Sequence, residues 1–560
     1  MAFFVAGGCT SPGEYVANRL KVGPDYCPPD APVAKQWIDD GDARLSDAPA
    51  DLGRWWSVFR DPTLDALIQT AIRQNLSLRE AGFRVLQARA NRAVAAGNLF
   101  PQQQDAAGGF GRNAASVAAA NTQLLNNRFY DQWDAGFNLA WELDFWGRFR
   151  RAVEAADASL DASVADYDQV MVTLLADIAG TYVEIRTLQR RAALARANVK
   201  LQRETYTIAD ARFRGGQVSE LDVDQATSTL AQTESLIPQF ELQIRQASNR
   251  LCVLLGVPAT DLSAVLGTGP IPAAPAELVV GIPADLLRQR PDVRRAERDV
   301  AAESAKVGIA TAELYPHIGI TGTLGFSAEY SADLFGPRAL QSGIGPSFQW
   351  SILNYGRLLN GIRLQNAKLA ERIVAYQNRV LRANAEAESG IAAFLRGHER
   401  SRWLAESVEA SRKATEVALT QYRGGIIDFS WVSLIEQNLV QQQDLLTQVQ
   451  GDTVLGLVAT YRALGGGWQS CSQPLPSAVP AELPNLLPKG MPPRVPEGLQ
   501  KTLRKTNDPT PDAAAEPPGK AAPKTIRQPI HETLPESLPV PAAEPVASQF
   551  EHFPPVGPAL

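Results

Sequence analysis

Cysteine, histidine, methionine and aromatic residues are all scarce in this chain of 560 residues, with 4 Cys, 4 His, 3 Met and 7% aromatics. The cysteines (Cys9, Cys27, Cys252, Cys471) and the histidines (His317, His398, His531, His552) lack the short ligand spacings of a zinc site, and no nucleophile is paired with a base. Basic excess is absent too. The net charge of −6 argues against a nucleic-acid partner. No apolar run reaches the roughly 18 residues that a transmembrane helix needs. A membrane could then be crossed only by β-strands closed into a barrel. Gly109-Phe110-Gly111-Arg112-Asn113-Ala114 fits a dinucleotide fingerprint by letter, but it opens no helix and carries no enzyme reading. The expectation is a protein without catalytic residues, metal or cofactor.

What is abundant is Ala, Leu and Val at helical spacing, in a chain that is 45% hydrophobic. Two short turns organise it. Phe213-Arg214-Gly215-Gly216-Gln217-Val218 recurs 209 positions later as Tyr422-Arg423-Gly424-Gly425-Ile426-Ile427. Gly-Gly supplies positive φ, so each copy reads as the tip of a helical hairpin. Ser219 and Asp428, also 209 apart, stand where an N-cap belongs, and Asp222 completes what resembles a capping box. Heptad-like spacing before the first tip (Leu160, Val164, Tyr167, Met171, Leu174, Ile178) and after it (Val223, Ala226, Leu230, Thr233, Ile237) predicts long antiparallel helices. Pro238 is expected to kink or divide the second of these.

Between helices the period changes to two. From Phe129 to Phe145 the odd positions are apolar or aromatic apart from Asp131, and the even positions are polar or small apart from Tyr130. A soluble sheet gives the same alternation, but the length and the Trp and Phe content favour a strand between lipid and water. The predicted strands cover about 103–117 and 129–145, and then about 317–330 and 341–353. The whole programme of helix, strand pair, long helix, tip and helix occurs twice, over 63–255 with its tip at 214–220 and over 286–467 with its tip at 423–429. Residues 1–9 read as a degenerate lipoprotein signal ending at Cys9, 10–62 as an extended N-terminal segment, 256–285 as a linker, and 468–560 as a Pro-rich disordered tail. Four strands cannot close a transmembrane barrel, so a membrane-spanning form must oligomerise. A trimer would supply twelve strands.

The sequence resembles the TolC-like outer-membrane efflux proteins, in particular their NodT-like lipoprotein branch. The resemblance is carried by Val22-Gly23-Pro24-Asp25-Tyr26, Trp55-Trp56 with Phe59 and Asp61-Pro62, and Glu142-Leu143-Asp144 with Trp146-Gly147-Arg148. Ile282-Pro283 with Leu286-Leu287, Arg290-Pro291-Asp292-Val293 and the two Arg-Gly-Gly tips complete the set. It implies a mainly α fold with a transmembrane β part. The homotrimer would form a 12-stranded β-barrel in the bacterial outer membrane, lipid-anchored at Cys9 and continued into the periplasm by an α-helical barrel. It implies docking to a periplasmic adaptor and an inner-membrane transporter, with passive conduction of small molecules outward. Neighbouring readings are a type I protein-secretion duct of the same fold and a periplasmic coiled-coil scaffold without a barrel.

The resemblance also places the tips at the periplasmic gate. It makes Asp222 the gate carboxylate, with Arg214 and Arg423 as partners, and leaves a second acidic ring in doubt because Trp431 and Leu434 stand where it would be. It makes Gly215, Gly216, Val218, Gly424, Gly425, Ile426 and Ile427 the surface that meets the adaptor. From the residues alone, Asp222 is as well explained by helix capping and the arginines by their helix C-termini.

Overall fold

The computed structural model describes residues 11–34, 36–46, 52–118, 120, 127–279 and 288–469. Cys9, and the tail from 470 onward, lie outside these residues. The N-terminal segment opens with α1 (Pro12–Ala17) and carries the two-residue strand β1 (Leu45–Ser46). In the first repeat Asp61 accepts from the backbone N–H groups of Thr63 and Leu64 and starts α2 (Pro62–Gln74), with Pro62 at the first helical position. Asn75 ends α2 and caps α3 (Leu76–Gly97), its side chain accepting from Leu78 N–H at 2.8 Å. The junction between the two helices is therefore a cap. Then follow β2 (Gln103–Ala114), β3 (Phe129–Leu143), α4 (Arg148–Arg214) and α5 (Glu220–Leu255).

A linker with α6 (Ser263–Leu266) and β4 (Leu278–Val279) leads to the second repeat. This comprises α7 (Pro291–Ala312), β5 (His317–Ala328), β6 (Leu340–Gln349), α8 (Arg357–Arg423) and α9 (Phe429–Ala463). The long helices α4 and α8 have 67 residues each, about 100 Å at 1.5 Å per residue. The duplication reaches individual bonds. Positive φ recurs in glycine pairs 209 apart, at Gly147 and Gly356 (+80° and +79°), Gly216 and Gly425 (+68° and +70°), and Gly256 and Gly465 (+72° and +75°). Asn75 Nδ2 donates to the carbonyl of Leu254 at 2.9 Å, and Arg290 donates to the carbonyl of Ala463, again 209 further on.

Two expectations need correction. All four strands differ from the alternating stretches at one or both ends, because alternation records which way side chains face and continues where backbone pairing has stopped. Beyond Leu143 the Asp144 carboxylate accepts from the N–H groups of Phe149 and Arg150 and turns the chain into α4. Pro238 does not divide α5, which runs as one helix through it; one lost N–H bond is tolerated in a helix packed along its length on α4. The linker packs closely over its described part, with Val257, Leu262, Leu266 and Leu278 buried in the main core.

The main strands form one antiparallel sheet in the order β2-β3-β5-β6, so the two repeats meet at the β3–β5 pair. The register collects Trp141, Ile320 and Pro346, then Leu143, Ile318 and Phe348, then Leu139 and Ile344, on one face. The other face holds Glu142, Gly319 and Ser347, then Ala140, Thr321 and Gly345, then Asn138, Thr323 and Gly343. The apolar face is bare in the protomer, with Ile344 79%, Phe348 78% and Phe137 65% exposed. Asp131, the break in the alternation, sits on that face opposite Arg112, with charged atoms 3.7 Å apart.

The main core lies midway along the long helices, where Met171–Ile185 of α4 and Ala387–Leu395 of α8 pack with α2, α5 and α9 around Trp55 and Trp56. Residues 11–34 and 36–46 lie as a strap over both repeats. Tyr15 donates to the Phe145 carbonyl at 2.6 Å, buried Arg151 to the carbonyls of Val22 and Gly23, and Arg44 to that of Leu395. A Cβ on Gly23 would come within 2.4 Å of Gly308 Cα, so strap and α7 meet backbone to backbone. The start of α7 is held to α8 and α9 by a network centred on buried Arg290 and Asp292. Arg290 pairs with Asp292 at 2.8 Å and with Glu386 at 2.6 Å, and Arg379 also reaches Asp292. Arg290→Ala would leave Asp292 buried with one partner fewer and is expected to destabilise the fold by about 3–5 kcal/mol. Denaturant unfolding of the purified protein checks this; an unchanged midpoint would refute it.

Candidate functional site: the paired hairpin tips

Both tips are built by the same bonds. In the first, Gly215, Gly216 and Gln217 N–H groups donate to the carbonyls of Ala211, Phe213 and Arg212. In the second, Gly424, Gly425 and Ile426 donate to those of Thr420, Tyr422 and Gln421. Only the second glycine of each pair needs to be glycine for conformation. Gly215 and Gly424 have φ of −80° and −78°, and a Cβ there would find its nearest atoms at 3.5 Å, an ordinary contact. Gly215, Gly216, Gly424 and Gly425 are all exposed. Of the apolar neighbours, Ile426 is 74% exposed, whereas Val218 and Ile427 are half-buried and Ile427 packs on the tip's own core.

The predicted capping box is not formed. Ser219 and Asp428 occupy N-cap positions with extended backbone, but neither side chain makes a cap hydrogen bond. Asp222 instead accepts from the Tyr422 hydroxyl of the second tip at 3.2 Å. The predicted arginine partners are elsewhere: Arg214 pairs with Asp210 of its own helix at 2.9 Å. Exposed Arg423 borders a shallow groove with Glu204, Thr207, Arg212 and Gln217. Among the described residues of one protomer Asp222 forms no ion pair with either arginine. Trp431 and Leu434 are exposed near the second tip, 57% and 58%, so no carboxylate stands at the duplicated position.

The contact that sequence reasoning missed is the one between tips. Tyr422 is 1% exposed and stands edge-on to Phe429 with ring centroids 5.4 Å apart, in a cluster with Ala209, Ala226, Leu419 and Val432. Arg212 reaches across from α4, donates to the Tyr422 carbonyl and lies 4.6 Å from the ring centroid. Burial, together with the Asp222 charge and hydrogen bond, pushes the Tyr422 hydroxyl up to about 12, so it stays protonated as the donor to Asp222. The aromatic was visible in the repeated motif. Its counterpart Phe213 is 39% exposed, however, and nothing in the sequence says which of the two turns inward.

Above this small plug the seam between the two hairpins is polar. Thr205 donates to buried Glu436 at 2.7 Å, Thr229 pairs with Ser433 at 2.8 Å, and Asn198 donates to Gln443 at 2.9 Å. Burial raises the Glu436 carboxyl above the ordinary glutamate range, countered by the Thr205 bond. A helix end closed by six buried side chains and a few hydrogen bonds opens at lower cost than the much larger core above it. The arrangement can therefore act as a closure, and among the described residues it holds no group of side chains that could bind a metal ion.

Comparison with known proteins points the same way. The family model described as outer membrane efflux protein matches residues 67–257 and 282–466, one match per repeat. A nodulation protein T of Rhizobium leguminosarum bv. trifolii is 31% identical over 406 residues, 72% of this chain and 85% of that protein. The pyoverdine export outer membrane protein OpmQ of Pseudomonas putida is 33% identical over 429 residues, 75% of this chain and 89% of that one. Among solved structures, the outer-membrane channel OprN superposes with a TM-score of 0.75 at 33% identity, covering 80% of this chain and 99% of its own.

Proposed function

Because this chain belongs to the outer membrane efflux protein family, we propose that three copies form a single outer-membrane exit duct, which conducts small molecules passively outward. The observation that carries the reading is the sheet. Its four strands have a bare apolar face, and its outer edges, β2 and β6, are unpaired among the described residues. An even number of antiparallel strands lets β6 of one copy pair with β2 of the next in the same antiparallel sense, so three copies close without an odd junction. Strands of 10–15 residues are long enough to span a bilayer when tilted. Closure also supports a use for the exposed apolar residues of α8, such as Leu359, Leu364 and Leu381, against a neighbouring copy.

The strap supports a lipid anchor at Cys9, because Tyr15, six residues on, is tied to Phe145 just below the sheet. The tips, at the far end of α4 and α8, then face the periplasm, where Asp222 and Tyr422 hold the entrance closed and the exposed glycines with Ile426 meet a periplasmic adaptor coupled to an inner-membrane transporter. A passive duct takes its cargo from that transporter, which agrees with this one chain being similar to relatives named for nodulation and for pyoverdine export. The efflux reading is preferred to protein secretion on the description of the family and the name of the pyoverdine export relative, and the bare sheet face disfavours a soluble scaffold. The test is fractionation with gel migration. Unheated protein from the outer-membrane fraction should run as a trimer that heating converts to monomer; a soluble periplasmic monomer would overturn the proposal.

A further inference from the structure

Where strands give way to helices, four charged or titratable side chains converge from four elements. Glu142 lies near the end of β3, Arg148 opens α4, Glu313 follows α7 and His317 opens β5. His317 Nδ1 stands 2.7 Å from Glu142 Oε1, and its Nε2 stands 3.4 Å from Glu313 Oε2. Arg148 donates to Glu142 through Nη2 and to Glu313 through Nη1 at 3.2 Å. This cluster lies in the half of the protomer opposite the tips, and each of its side chains keeps 26–37% of its surface open.

The register sets its orientation. Glu142 is paired with Gly319 and His317 with Gln349, on the face that carries Asn138, Thr321 and Thr323 and away from Trp141, Ile318 and Phe348. Along the described strands that polar face is otherwise Gly, Ala, Ser, Thr and amides, with a tyrosine near its outer end; Asp105 and Asp134 are its other charges. In a closed barrel it lines the water-filled lumen.

We propose that the cluster, repeated three times around the lumen, is a proton-sensitive collar that makes the duct favour cationic solutes and relaxes that preference when His317 is protonated. This rests on the trimeric duct proposed above. With His317 neutral each cluster sets two carboxylates against one guanidinium, a net charge of −1; protonation brings it to zero. Histidine is the side chain whose charge changes between about pH 5 and 8. A neutral imidazole can donate from one ring nitrogen only, whereas the imidazolium donates from both, towards Glu142 and Glu313 together. The charged groups around it are Glu142 from β3, Glu313 at the end of α7 and Arg148 from α4, while β6 presents the neutral Gln349. Rings of charged groups set ion preference where a pore is water-filled.

The experiment measures reversal potentials of the purified trimer in planar bilayers under a KCl gradient, at pH 8 and pH 5.5. It is done in an Asp222→Ala background, so that the tip carboxylate does not dominate. The potassium-to-chloride permeability ratio should fall about two-fold from pH 8 to pH 5.5. His317→Gln should hold the ratio constant between the two pH values, and Glu142→Gln should lower it already at pH 8. Heat-modifiable migration checks that each variant is assembled. An unchanged ratio in the parent, or an equal pH response in His317→Gln, would overturn the collar while leaving the duct standing. Absence of any conductance would overturn the duct and the collar with it.

Discussion

Tyr422→Phe should raise the single-channel conductance of the purified trimer several-fold and lengthen its open times. The substitution removes one hydroxyl and leaves the ring, with its 5.4 Å edge contact to Phe429, in place. What it deletes is the hydrogen bond to Asp222, the direct side-chain bond found between the two tip turns. A hydrogen bond to a charged acceptor contributes about 1.5–3 kcal/mol. Three of them, one per protomer, sum to at least about 4.5 kcal/mol, which shifts a closed-to-open ratio by roughly a thousandfold. Asp222→Ala should do the same, and combining the two should add little, because both remove one bond. Arg214→Ala should have no such effect, since its carboxylate partner in the protomer is Asp210 on its own helix. Unchanged conductance in both Tyr422→Phe and Asp222→Ala would remove the closure role from this contact and leave Asp222 as a residue in the first turn of α5.

The periodic part of this fold was legible because the forces that set it are local. A 3.6 period with Asp61 and the positive-φ glycines as punctuation marks the helices, and a period of two marks the strands, so that Asp131 stood out as the one charge among the odd positions of the 129–145 stretch. Its partner Arg112 could not be found that way. The pairing depends on the register between β2 and β3, which is decided by how the hairpin closes. The tips show the same limit. Duplicated letters predicted duplicated roles, yet Phe213 points out and Tyr422 in, Ser219 leaves its own helix uncapped, and Asp222 bonds across to the other repeat. Those outcomes depend on which hairpin each side chain meets, and 200 residues separate Asp222 from Tyr422. Capping propensity reports only what is available nearby; a buried tyrosine hydroxyl without another acceptor is a stronger claimant on the carboxylate.

Docking at the tips can be tested more cleanly than the repeated Gly-Gly suggests, because its two glycines are not equivalent. A bulky residue at Gly216 or Gly425 would meet a φ near +70°, so any loss of function there mixes turn strain with blocked docking. Gly215 and Gly424 have helical φ and space for a side chain. Gly215→Trp and Gly424→Trp should therefore leave the turn, the trimer and its insertion intact while placing an indole on the exposed end of the hairpin. If an adaptor seats its backbone there, each variant should lose pump-dependent drug resistance down to the level of a strain without the protein. Gly215→Ala and Gly424→Ala should keep most of it, since one methyl group adds little height. Conductance of the isolated trimer should not fall in any of the four, which separates a docking defect from a blocked duct. Full resistance in both tryptophan variants, with normal amounts of trimer in the outer membrane, would place the adaptor contact away from the tips, on the sides of the hairpins where Arg423 borders the groove.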